Sequence, residues 1–315
     1  MLACGILGLS ACDAGAQSYP TKVVRYVIPA SAGSGADLLG RTIAGGLTQV
    51  FNQQVIVDNR AGAGANIGAE LAARSPADGY TLFHVIITHA LNASLYRNLS
   101  YDLTRDFAPV AQLATTPAMV VVHPSLPARS MAELVKLAKA RPGMINYASA
   151  GTGSFTFLAA ELFKKQAGVD LVHVPYRAGS EAQTAVISGE TSIYFASIGT
   201  VLSYVRQGRL RGLAVTSAKR VPMVPEFPTV AESGYPAYQA GNWHGLMVPA
   251  KTPRTIIATL HIGLVSALNN PTVGKRLSDL GYLAVGDQPE EFSRFLHEEI
   301  AALARVVKDL GLKAD

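Results

Sequence analysis

The chain alternates between short apolar runs and segments whose apolar residues recur every three or four positions. β-like runs fall near 23–28, 54–57, 81–87, 118–122, 145–148, 171–174, 191–196, 211–216 and 244–248. Helical patterns lie between most of them, for instance at 36–50, 130–140, 154–167 and 180–188. Such alternation predicts an α/β fold with mainly parallel sheets and helices on both faces. The C-terminal third reads as helical. Thr252-Pro253 supplies an N-cap and a proline at the first helical position, and Ile256, Ile257, Leu260, Leu264 and Leu268 then share one face. A final helix starts near Pro289-Glu290-Glu291, where acids suit the positive helix end. Its stripe of Phe292, Phe295, Leu296, Ile300, Leu303, Val307 and Leu310 predicts a core-facing side. No long linker, low-complexity tract or fixed-period repeat interrupts the pattern.

Two strand-to-helix junctions share the pattern Ser-Ala-Gly-x-Gly: Ser31-Ala32-Gly33-Ser34-Gly35 and Ser149-Ala150-Gly151-Thr152-Gly153. A small-residue loop that opens a helix presents backbone N–H groups and the positive helix end together, which suits an anion. Neither loop has a lysine after its glycines. Leu38 and Thr156 stand where the third glycine of a dinucleotide loop belongs, so nucleotide readings are weak. What remains is two jaws on one small anion, with Ser31, Ser34, Ser149, Thr152 and Ser154 as hydroxyl donors. The alternative is two tight turns with helix caps. Asp37, in the first turn after the first loop, is expected to hold that loop's shape; direct contact with an amine-bearing ligand is the other option. A third loop, Arg60 to Asn66, reads as close packing around glycines, with Asn66 as the N-cap of the next helix. Thr88, His89 and Asn92 follow the strand that ends at Ile87. Open α/β sheets bind ligands at such strand ends. Each of the three can donate to a carboxylate or hydroxyl, and a purely structural role for His89 is equally open.

Composition narrows the classes. At 315 residues the chain can build two α/β domains, and 49% apolar content supplies their core. Charged residues make up 16%, the formal charge is +5, and no Lys/Arg run occurs, which argues against disorder and against nucleic-acid binding. There is no Gly-x-Ser-x-Gly elbow, the seven histidines lack metal-site spacing, and no carboxylate pair marks a loop end. No catalytic, metal or cofactor site is therefore expected. Residues 1–18 contain no Lys or Arg, run apolar from Leu2 to Leu9, and end in Ala14-Gly15-Ala16. They read as an export leader cleaved before Gln17, too short to span a bilayer. Leu9-Ser10-Ala11-Cys12 also fits a bacterial lipobox, in which Cys12 would carry a lipid. Both cysteines, Cys4 and Cys12, lie in this leader, so the cleaved form has no thiol and no disulfide.

A longer set of motifs occurs in order: Tyr19-Pro20, Pro29 to Asp37, Val57 to Gly68, Asp78 to Leu82, Tyr101-Asp102-Leu103 with Asp106 to Val110, and Ser149 to Ser154. His173 to Tyr176, Leu213 to Thr216, Phe227 to Gly234 and Trp243-His244-Gly245-Leu246 follow. This set spans the chain from Tyr19 onward and resembles the Bug family, the extracytoplasmic solute receptors of tripartite tricarboxylate transporters. The resemblance implies a type II periplasmic-binding-protein fold of two α/β lobes around a cleft, joined by two crossover strands. Lobe one would be 19–121 plus 246–315 and lobe two 122–245, with Trp243 on a hinge strand. It implies a periplasmic monomer that binds a small organic acid and serves the membrane subunits of a transporter. The acid would be held by the loops at 30–35 and 149–154, and by position also by the loops around Thr88 and Ala196-Ser197. Two departures stand out. Ala30 and Ser34 replace two residues of the usual Pro-Phe and triple-glycine run, and Phe157 stands where the family usually carries histidine. The second departure points to a less polar or aromatic acid. An exported sensor on the same scaffold and an exported α/β enzyme acting on a small acid are the rival readings.

Overall fold

The computed structural model describes residues 19–312; the leader and both cysteines lie outside the described residues. The first lobe is built from β1 (Val24–Ile28), α1 (Gly35–Phe51), β2 (Val55–Asn59), α2 (Asn66–Ala73), β3 (Thr81–Ile86) and α3 (Ile87–Leu95). The chain leaves it along a long strand, β4 (Phe107–Val122). The second lobe follows as α4 (Met131–Ala140), β5 (Asn146–Ser149), α5 (Phe155–Ala167), β6 (Val172–Pro175), α6 (Gly179–Ser188), β7 (Ile193–Ser197), α7 (Ile198–Arg206) and β8 (Arg211–Val215). The return runs along β9 (Gly241–Pro249) to α8 (Arg254–Leu268), α9 (Pro271–Asp279), β10 (Leu283–Ala284) and α10 (Pro289–Leu310).

Parallel pairing holds for the outer strands, β2-β1-β3 in one lobe and β7-β5-β6 in the other. The connecting strands differ from the mainly parallel expectation: β4 and β9 are antiparallel to each other, β9 to β3, and β4 to β7 and β8. A strand that carries the chain from one lobe to the other runs against the neighbours it leaves and meets. β4 pairs with β9 up to Pro117 and with β7 from Ala118. Proline has no N–H to give to a ladder, so it suits the residue where one sheet ends and the other begins. β4 thus changes partner at 117/118, and β9 pairs with it from Gly241. The fully buried Thr216 ties both connections together: its hydroxyl accepts from Ala118 N–H at 2.7 Å and donates to the Ala240 carbonyl at 2.7 Å.

The apolar stripes read from the sequence become the core. Leu39, Ile43 and Leu47 of α1 pack over β1, β3 and β9 with Leu264 of α8. Val186, Val201 and Leu202 of α6 and α7 cover one face of the second sheet. A larger core continues from Phe83 and Phe107 through Trp243 and Phe292 to Phe163 and Phe195 in the second lobe. Trp243 is buried between Phe292 and Phe295, and its Nε1 donates to Glu299 at 2.9 Å, so its role is packing against α10. Among the described residues no single helix is long and apolar enough to cross a membrane.

Candidate functional site

Between the two lobes lies a cavity of about 130 Å³. Both lobes line it, and they touch at its edge, where Ser31 Oγ lies 3.3 Å from Ser180 Oγ. On the first-lobe side the Ser-Ala-Gly-x-Gly loop folds into the start of α1. Ser34 is the N-cap, its Oγ accepting from Asp37 N–H. Asp37 reciprocates by accepting the Gly33 N–H at 2.9 Å, and it also receives Asn59 Nδ2 and Arg41 Nε. Burial pushes its pKa up, but the hydrogen bonds from Arg41, Gly33 and Asn59 more than offset this and hold it below the usual carboxylate range. Gly33 N–H is thus spent within the loop. Capping takes the third N–H of the helix; those of Gly35 and Ala36 have no intrahelical partner, and both residues line the cavity.

The second-lobe side repeats the logic in a different register. Here Ser154 is the N-cap, accepting from Phe157 N–H, so the helix begins at Phe155 rather than inside the Ser-Ala-Gly-x-Gly segment. Phe155 and Thr156 hold the unpaired N–H positions and line the cavity. A third helix start arrives with α6, whose Gly179 and Ser180 also line it. Thr88 in the first turn of α3 and Ser197, which precedes α7, complete the ring. Five helices therefore aim their positive ends at one small space. Among the lining residues there is no Asp or Glu, and Arg177 is the only charged one.

Of the expected site residues, Ser31, Gly33, Ser34, Gly35, Thr88, Ser154 and Ser197 line the cavity. Ala32, His89, Asn92, Ser149, Gly151, Thr152, Gly153, Phe157 and Ala196 do not. His89 is fully buried, and desolvation holds its pKa down to about 4, so it is neutral. Its Nδ1 accepts from Ile86 N–H and its Nε2 donates to the Ala65 carbonyl. Asn92 Nδ2 donates to the Gly64 carbonyl at 2.7 Å and to Asn66 Oδ1 at 2.9 Å. The pair thus supports the third loop, whose Ala61, Gly62, Gly64 and Ala65 do line the cavity. Asn66 is not the N-cap expected of it. Ala65 holds that position in a left-handed conformation, while Asn66 Oδ1 accepts from Asn92 and Tyr101. Ser149 is fully buried, in a hydrogen bond with His173 Nε2 at 2.6 Å, and accepts Gly151 N–H. This Ser–His contact shapes the second loop from behind. Phe157 packs on His173 with centroids 4.7 Å apart, inside the second lobe. The aromatic-acid expectation thereby loses the residue it stood on.

Arg177, Ser180, Gln183, Thr200, Asn242 and His244 line the cavity without having been expected there. For Ser180 a signal existed: Ala178-Gly179-Ser180 follows β6 as another small-residue junction. For Asn242 and His244 it was subtler, two polar residues at alternate positions of an otherwise apolar strand.

Comparison with known proteins agrees with this architecture. The family model described as "Tripartite tricarboxylate transporter family receptor" matches residues 39–312. Protein BugT of Bordetella pertussis is 33% identical across 95% of this chain and 92% of its own. The solved structure of R. palustris Rpa4515 with adipate is 33% identical, with a TM-score of 0.91 over 94% of this chain and 99% of that one. MatC of Rhodopseudomonas palustris with bound malate is 28% identical, with a TM-score of 0.87 over 92% of this chain and 100% of that one. Two lobes, a cleft ringed by helix N-termini and a match over nearly the whole length lead to one assignment: the chain belongs to the tripartite tricarboxylate transporter receptor family and is a solute-binding protein of the Bug type.

Proposed function

We propose that the protein is an exported periplasmic receptor that closes its two lobes on one small aliphatic carboxylate and presents it, as a monomer, to the membrane subunits of a tripartite transporter. The observation that carries this reading is the electrostatics of the cleft: five helix N-termini and Arg177 converge on a space with no carboxylate of its own. The main donors are Gly35, Ala36, Thr88, Phe155, Thr156, Gly179 and Ser180. All are neutral, so the anion is held without the desolvation cost of burying a full counter-charge, and it can be released again. The cavity is small against the usual range for drug-sized ligands. Two relatives carry adipate and malate, both aliphatic dicarboxylates, and this supports the same ligand class here. Thr216, bridging the two connecting strands, is the pivot on which ligand contacts from both lobes would favour the closed form. The cavity lining offers no nucleophile paired with a base, which favours binding without turnover over an enzyme acting on the same acid.

A thermal-shift screen followed by titration calorimetry tests this. The panel comprises aliphatic mono- and dicarboxylates, hydroxy acids, aromatic acids, acidic amino acids and inorganic phosphate. We expect one aliphatic acid to bind with one-to-one stoichiometry and to be recovered unchanged. The reading fails if no acid raises the melting temperature, or if the bound acid is converted to a product.

A further inference from the structure

Beneath α1 a chain of buried polar groups runs through the first-lobe sheet to the cavity wall. Tyr26 on β1, His84 on β3 and His244 on β9 are at most 1% exposed, and Asn242 is 8% exposed. Strand order β1-β3-β9 sets them side by side, and the two-residue repeat of β9 puts Asn242 and His244 on one face. Tyr26 Oη lies 2.7 Å from His84 Nδ1, His84 Nε2 lies 2.8 Å from His244 Nδ1, and His244 Nε2 lies 3.1 Å from the amide of Asn242. Asn242 and His244 line the cavity. The other atom of the Asn242 amide is buried and has no hydrogen-bond partner. Burial without a counter-charge keeps both imidazoles neutral.

A neutral imidazole has one N–H and one acceptor nitrogen, so the chain has only two consistent polarities. In the first, Asn242 donates to His244, His244 Nδ1–H to His84, and His84 Nδ1–H to Tyr26. The Tyr26 hydroxyl proton then has no acceptor in the apolar interior, and Asn242 turns a bare oxygen toward the cavity. In the second, Tyr26 donates to His84 Nδ1, His84 Nε2–H to His244 Nδ1, and His244 Nε2–H to the oxygen of Asn242. Every buried partner is then satisfied, and the only group left over is the Asn242 NH₂ at the cavity wall. Which amide atom is oxygen is decided by its partners, and buried groups are satisfied wherever the geometry permits.

We infer that Asn242 is a specificity-determining contact that presents N–H donors to an oxygen of the bound acid, and that Tyr26, His84 and His244 are positioning residues that fix this polarity. The inference rests on the cavity being a carboxylate site, as proposed above, and adds a rule to it. At this wall the ligand shows an acceptor, a carboxylate or ether-like oxygen, and an ammonium group there is rejected.

Two measurements separate the inference from the reading beneath it. The first needs no ligand: ¹⁵N-resolved spectra of the assigned His84 and His244 rings in the native protein. Both carry the proton on Nε2 if the polarity is right; a proton on Nδ1 of either ring overturns the inference whether or not any acid binds. The second is calorimetry with succinate, adipate and malate as probes. Asn242→Leu, close in size, is expected to weaken the best probe at least tenfold. Tyr26→Phe, which deletes only the first donor of the chain, is expected to weaken it three- to tenfold while the ¹⁵N pattern changes to a mixture. An affinity within twofold of the parent in a folded Asn242→Leu protein overturns the inference. If none of the three probes binds the parent protein, the best-binding acid of the panel above takes their place; if no acid of that panel binds, the carboxylate reading is what fails, and the ring spectra still decide the polarity of Asn242.

Discussion

The loops at 31–35 and 149–153 share one sequence pattern and do different work. The first opens directly into α1: its fourth residue, Ser34, caps the helix and its fifth, Gly35, lines the cavity. The second ends one residue short of its helix, and the serine between them, Ser154, supplies the cap. Of its own residues only Ala150 lines the cavity. Gly153 sits against α3 of the opposite lobe, where a Cβ would lie 2.8 Å from Asn92 Oδ1 and 2.8 Å from Leu95 Cδ2. Gly33 has open space around its own Cβ position. At the third position of the pattern Gly33 and Gly151 both have positive φ, at 78° and 100°, so the shared pattern encodes a left-handed turn there. What that turn is used for depends on which helix register follows and which surface stands opposite.

The largest test of this difference is Gly153→Val against Gly33→Val. Overlap at 153 costs the lobe-to-lobe contact about 1–3 kcal/mol, so affinity for the acid should fall by up to about 100-fold in calorimetry. Gly33→Val should lower stability by the left-handed strain alone, about 1–2 kcal/mol, with a much smaller change in affinity. Equal loss of affinity in the two variants would show that the loops are equivalent jaws after all. Next comes Asp37, which only the first loop has. Asp37→Ala leaves Gly33 N–H and Arg41 without their acceptor and should cost about 2 kcal/mol in urea denaturation. Its carboxyl is held below the usual range in the fold. Its contribution is therefore full above the unfolded pKa of about 3.9 and is lost as pH falls through the lower folded value. The parent protein should weaken on acidification below about pH 4, and Asp37→Ala should lack that part of the slope.

A smaller effect sharpens the register argument. Ser34→Ala and Ser154→Ala should each lose about 1 kcal/mol of stability as N-cap deletions. Thr152→Ala, which matches Ser34 by position in the pattern but caps nothing, should stay within about 0.5 kcal/mol. A cap-sized loss at Thr152 would restore the simple repeat. The smallest expected change is at Arg177, which is exposed. Arg177→Gln should weaken acid binding only a few-fold, about 0.5–1 kcal/mol, and should reduce its dependence on salt.

The alternating pattern was enough to predict the α/β class, the helices that open after both loops and the long C-terminal stripe. Each depends on local spacing that any window of the chain displays. β4 was legible only in its second half. Pro109, Gln112 and Thr115-Thr116-Pro117 lie outside the run read at 118–122, yet they occupy the same strand, because pairing with β9 on a sheet buried by helices overrides local propensity. The site divides the same way. Ser34, Asp37 and Ser154 were legible because capping is a contact between residues a few positions apart. Asn92, His89 and Phe157 were assigned to the ligand from their place in the sequence, and the fold turned them to the third loop and the second-lobe core.

The sequence by itself determined that helices open after both small-residue loops, with serines to cap them, and that no acidic cluster accompanies those loops. These follow from dihedral preference and hydrogen bonds across a handful of residues. Tertiary structure alone decided that five helix ends meet in one space, and that Arg177 guards it. It also joined Tyr26, His84, His244 and Asn242, far apart in the chain, into one hydrogen-bonded line. Convergence of this kind is set by strand order and the two crossings between lobes, which no local spacing records.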